Sequence, residues 1–150
     1  MSRKKRKAKE NPLKSKDWFK WKARQLRASH LGRLKKVSGE EYKQRMREVP
    51  TATEFEEWLK KQSPFLCLYS KEAIKSSSLE IDHRTPVSRE GAFGFSNLAV
   101  TNRLHNRTKG DLTEKEYKQL LRLLSKWDEK AKWSVINRLI QSTGIYRKRK

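Results

Sequence analysis

The stretch LEIDHRTPVSREGAFGFSNLAVTNRLHNRTKGDLT, residues 79–113, decides how the chain reads. SLEID is a strand candidate that ends on Asp82 and His83, just before the chain turns at Pro86. SREGAFGFS, with two glycines and its serines, reads as a loop. NLAVTN reads as the next strand, and RLHNRTK as a short helix closed by Gly110. Strand, loop, strand and helix in this order bring Asp82, His83, Asn97, Asn106 and Lys109 within reach of one cleft.

The chemistry of such a cleft is coherent. The Asp82 carboxylate and the Asn106 amide oxygen are hard donors suited to Mg²⁺ or Mn²⁺. Two protein ligands leave positions for water and phosphate oxygens. A histidine such as His83, with an ordinary pKa of about 6.5, offers a neutral imidazole near pH 7 to take a proton from water. Lys109 suits a phosphate as a point charge. Each element alone is weak: an Asp–His pair is ordinary surface chemistry, and an asparagine at a strand start or helix edge usually caps or turns the backbone. The combination carries the argument.

Outward from this stretch, the composition points to a polyanionic partner. The chain has 150 residues, enough for one domain with a modest core, and a formal net charge of +21. The charge is concentrated at the ends. Residues 1–36 hold 15 Lys/Arg against two acids, and RKRK closes the chain at 147–150. The single cysteine, Cys67, excludes an internal disulfide and fits a reducing cytosol. No apolar run approaches the roughly 18 residues of a membrane span. The first ten residues, MSRKKRKAKE, read as a nucleic-acid-binding tail rather than a secretory signal, with a nuclear address as the alternative in a eukaryote.

Upstream, Ser15 or Asp17 starts an expected helix, with Phe19, Ala23, Leu26, His30 and Leu34 recurring at helical spacing as a core-facing stripe. His30 reads as a packed histidine, and Trp18 and Trp21 as packing residues ahead of base-stacking ones. Ser38 with Glu41, and Thr51 with Glu54, resemble capping boxes; the second opens a helix carrying Phe55, Trp58 and Leu59 that QSP ends. FLCLY, 65–69, is apolar and fit for a strand. Downstream, Thr113 and Glu116 form another capping box ahead of Tyr117, Leu120, Leu121, Leu124 and Trp127, and a last helix is expected over about 130–142 with Trp133, Ile136 and Ile140.

Residues 79–113 resemble the HNH endonucleases of the ββα-metal (His-Me finger) superfamily: IDH followed by a proline, then NL, then NRTKG. The resemblance implies an α+β fold, mostly helical with a small antiparallel ββα-metal motif. It implies Asp82 and Asn106 as metal ligands, His83 as general base, and Asn97 as the residue that holds the loop and orients His83. In such sites the metal also stabilises the leaving oxygen of a phosphodiester. Many relatives carry two Cys-x-x-Cys pairs for a structural zinc; the matching positions here are Cys67, Ser70, Asn102 and His105. Only two of these are good zinc ligands where four are wanted, so no structural zinc is expected. Packing of Phe65, Leu66 and the two C-terminal helices is expected to hold the motif instead. The basic helical front and the KGDLT continuation are similar to phage-encoded and intron-associated members, among them homing nucleases.

The expected organisation is a disordered basic tail (1–14), a helical basic region (15–62), the HNH motif (63–112), C-terminal helices packed on it (113–143) and a second basic tail (144–150). The expected function is metal-dependent hydrolysis of DNA phosphodiester bonds by nicking or double-strand cleavage, with one Mg²⁺ or Mn²⁺, DNA as partner, no membrane, no small-molecule cofactor and a cytoplasmic location. The rival readings are a non-catalytic nucleic-acid-binding protein with an HNH-like fold and a basic ribosome-associated protein.

Overall fold

A computed structural model describes residues 17–34 and 39–142. The expectations for both basic tails, for a helix start at Ser15 and for Ser38 as a cap lie outside these residues. In chain order the elements are α1 (Trp18–Leu34), α2 (Gly39–Glu48), α3 (Ala52–Lys61), β1 (Leu79–His83), β2 (Leu98–Asn102), α4 (Arg103–Lys109), α5 (Glu114–Leu124) and α6 (Glu129–Ser142). The chain is mostly helical, with a two-stranded antiparallel hairpin followed directly by a helix, a ββα unit. Among the described residues no helix is long and apolar enough to cross a membrane.

The hairpin sets everything else. β1 and β2 pair in the register Leu79↔Asn102, Ile81↔Val100 and His83↔Leu98. Side chains alternate across a strand. Leu79, Ile81, Leu98 and Val100 therefore share one face, and they join Trp18, Ala23 and Leu26 of α1, Phe55 and Leu59 of α3, and Phe65 in the main core. α1 buries Trp18, Ala23, Leu26, His30 and Leu34, so the expected stripe holds, with Trp18 deeper than Phe19. α3 begins with the expected capping box: the Thr51 hydroxyl accepts from the Glu54 amide, and the Glu54 carboxylate accepts from the Thr51 amide. The opposite face of the hairpin carries Glu80, Asp82, Ala99 and Thr101, and α4 packs against both strands.

Two local expectations change. FLCLY does not form a strand. It makes a single bridge, Leu66↔Ala73, around a tight turn in which Lys71 donates to the Cys67 carbonyl and takes a positive φ of 64°. The Leu68 amide goes instead to the Val100 carbonyl, which clamps the turn onto β2. Phe65 enters the core, but Leu66 points outward and is exposed. Trp127 also lies beyond the helix expected to carry it, because α5 ends at Leu124 with Ser125 as its cap; the indole is exposed. Tyr117 and Leu124 are the α5 residues that become buried.

Candidate active site

Asp82 and His83 are adjacent in sequence, so strand alternation sends them to opposite faces of the hairpin. Asp82 faces α4. Its Oδ2 accepts from the Tyr69 hydroxyl at 2.8 Å and its Oδ1 from the Lys109 ammonium at 3.1 Å. Lys109 also donates to the His83 carbonyl at 2.8 Å, and it is only 1% exposed. Burial pushes the Asp82 carboxyl up from its ordinary range, with Lys109 and the Tyr69 hydroxyl pulling the other way. Lys109, expected from the sequence to meet a phosphate as a point charge, has its ammonium turned inward onto Asp82.

His83 faces the helical side. Its ring centroid lies 4.9 Å from that of His30 and 5.8 Å from that of Phe93. Arg33 Nη1 donates to His83 Nδ1 at 2.9 Å, while Nε2 is buried and has no hydrogen-bond partner among the described residues. Burial first, then the neighbouring His30, Arg33 and Lys109, lower the pKa of His83 to about 3, so the ring is neutral at pH 7. His30 itself is a packed histidine: its Nδ1 donates to the Leu26 carbonyl at 2.8 Å.

Asn97 holds the loop. Its Oδ1 accepts from the Thr85 amide at 2.8 Å, and its Nδ2 donates to the carbonyls of Thr85 and Ala92 at 2.9 and 2.8 Å. The Arg84 amide adds a bond to the Asn97 carbonyl. Asn97 bonds the backbone two residues past His83 rather than its ring, so any orienting effect runs through the loop. Gly91 belongs to the same device: a Cβ there would stand 1.9 Å from the Thr85 carbonyl oxygen. Asn106, on α4, donates through Nδ2 to Glu80 Oε2 at 2.6 Å. That bond identifies Nδ2 as the donor and leaves Oδ1 as the ligand-capable atom.

Asp82, His83, Asn106 and Lys109 line one cleft of about 530 Å³, together with Arg33 of α1, Arg45 of α2 and Arg107 of α4. Asn97 is not among the residues that line it. Among the described residues no three His, Cys, Asp or Glu side chains converge as metal ligands. The fit of a divalent cation therefore rests on two oxygen donors. A carboxylate has about four lone-pair positions; Tyr69 and Lys109 take two at Asp82.

The four positions matching the zinc knuckle of relatives also converge, joined by hydrogen bonds. Burial works to raise the Cys67 thiol, but hydrogen bonds from Ser70, Asn102 and Tyr69 lower it on balance. The Asn102 side chain caps α4 by accepting from the His105 amide at 2.9 Å, and His105 Nδ1 lies 2.8 Å from the Tyr117 hydroxyl. Tyr69, from this same turn, carries the knuckle's position to Asp82.

A family model for HNH endonucleases matches residues 67–114. The chain carries an HNH endonuclease domain. The match runs from the turn at Cys67 to the first residue of α5, and so takes in every residue of the cleft described above except those of α1 and α2. No curated protein matches the chain. The family's substrate is nucleic acid, which agrees with the net charge of +21. Tyr69, Glu80 and Arg33 were not singled out from the sequence. Glu80, two residues before Asp82, carried a signal, because i and i+2 share a strand face; Arg33 carried none.

Proposed function

We propose that the HNH domain hydrolyses DNA phosphodiester bonds with one divalent cation, Mg²⁺ or Mn²⁺. The observation that carries this reading is that Asp82, His83 and Asn106 line one cleft, which three arginines also line. Asp82 and Asn106 hold the cation. The cation, when bound, supplies electrophilic stabilisation of the leaving oxygen. His83 accepts the proton of the attacking water. Asn97 keeps the loop closed behind it, and Glu80 orients Asn106. Lys109 serves as a built-in counter-charge to Asp82. Arg45 and Arg107 meet the phosphate backbone, and the basic ends add affinity that falls steeply with salt.

The test is supercoiled plasmid incubated with the protein in Mg²⁺, in Mn²⁺ and in EDTA. Nicked or linear product in metal and none in EDTA is the expected result. One observation favours a second reading, a non-catalytic nucleic-acid-binding protein: both Asp82 oxygens and His83 Nδ1 are engaged by the chain's own Tyr69, Lys109 and Arg33. Binding of plasmid with no cleavage in either metal would establish that reading instead.

A further inference from the structure

A histidine acts as a base through a ring nitrogen that bears a lone pair and is open to water. His83 has one candidate. A guanidinium stays protonated and only donates, so the 2.9 Å contact from Arg33 Nη1 makes Nδ1 the acceptor and places the ring hydrogen on Nε2. Nε2 is buried with no partner among the described residues, in a ring flanked by His30 and Phe93. The lone pair that chemistry needs is thus covered by an arginine from α1, 50 residues away in sequence. Arg33 itself is exposed, in the last turn of its helix, and it lines the same cleft as Asp82 and Asn106.

We propose that Arg33 is a substrate-released cap on His83: in the free chain its guanidinium occupies Nδ1, and a phosphate of the bound nucleic acid draws it away and opens the base. This rests on the reading of His83 as the base. The direction of exchange follows from hydrogen-bond chemistry. The bond from Arg33 to a neutral imidazole is single and carries charge on the donor alone, whereas a phosphate accepts two parallel bonds with charge on both partners. The cap also keeps the base closed when no phosphate lies in the cleft.

The experiment uses the full chain in EDTA, so that binding is read without cleavage. A short duplex DNA is titrated across a range of salt with the parent, Arg33→Gln and Arg33→Lys, and the ring nitrogens of His83 are followed by NMR. The salt dependence of Arg33→Gln is expected to be shallower by about 0.9 in slope, one phosphate contact, with Arg33→Lys close to the parent. The Nδ1 resonance of the parent is expected to move on DNA binding toward the position that Arg33→Gln shows without DNA. An unchanged slope in Arg33→Gln, or an Nδ1 resonance that stays put when DNA binds, overturns the cap and makes Arg33 a fixed brace. His83→Ala, assayed separately for metal-dependent cleavage, distinguishes the two failures. A dead His83→Ala beside an unchanged Arg33→Gln slope removes only the cap, whereas an active His83→Ala removes the base and the cap with it.

Discussion

On one face of the hairpin Asp82 sits in a polar, hydrogen-bonded setting, with Tyr69 on one oxygen and Lys109 on the other. On the opposite face its neighbour His83 sits among aromatic rings, with one nitrogen on Arg33 and the other without a partner among the described residues. A single peptide bond separates a charge that the chain neutralises from within and a base that it keeps neutral by burial. The difference follows from strand alternation. The polar face is built by the Cys67 turn and α4, both inside the family match. The rings beside His83 come from His30 of α1, outside the match, and from Phe93 of the loop, inside it.

The contrast predicts unequal penalties. Asp82→Ala strands the buried Lys109 ammonium without its partner, and breaking a buried pair in this way costs about 3–5 kcal/mol. Urea unfolding should show that loss, and the double variant Asp82→Ala/Lys109→Met should recover part of it. A double variant no more stable than Asp82→Ala would mean that the pair is not what holds this face.

Gly91→Ala attacks the loop that Asn97 ties to the backbone just after His83. With a new Cβ 1.9 Å from the Thr85 carbonyl oxygen, the backbone must shift, and the expected loss is about 1–3 kcal/mol. The chemical denaturation midpoint reads it, and a parent-like midpoint would show that Thr85 and Asn97 yield freely.

The aromatic face should be the acid-sensitive one. His83 has a folded-state pKa of about 3, against an ordinary value of 6.5. Below pH 6.5 the unfolded chain takes up a proton that the folded chain refuses. The contribution of His83 is therefore complete above pH 6.5 and falls by about 1.4 kcal/mol per pH unit as the pH drops toward 3. Stability measured from pH 7 to 5 should decline more steeply in the parent than in His83→Phe. Parallel profiles would contradict the burial of a neutral ring. The smallest expected effect is at the edge of the domain: Thr113→Ala removes the hydroxyl that caps α5, costing about 1 kcal/mol in the same denaturation assay.

What was legible in the sequence was local. The capping boxes at Thr51 and Thr113 and the helix stop at Gly110 depend on neighbours within a few residues, the hairpin strands were legible from their own composition and the loop between them, and all formed. FLCLY read as a strand because its composition suits one. Whether it pairs depends on where the Leu68 amide finds its acceptor, and that acceptor is Val100, 32 residues on. The candidate site was legible to the extent that one motif holds it. Asp82, His83, Asn106 and Lys109 do line one cleft. The inward turn of Lys109, the hold of Tyr69 on Asp82 and the approach of Arg33 to His83 are set by packing across 27, 13 and 50 residues. No spacing rule reaches that far.

The central claim is that His83 carries proton transfer while affinity for nucleic acid resides elsewhere, in the arginines and the basic ends. Single-turnover cleavage of plasmid by the parent and by His83→Ala, at saturating protein in Mg²⁺ or Mn²⁺ and with binding measured in parallel, tests it most directly. The expected result is a rate lowered by about 10²–10⁴, with binding within a few-fold of the parent. Cleavage by His83→Ala at the parent's rate would contradict the account.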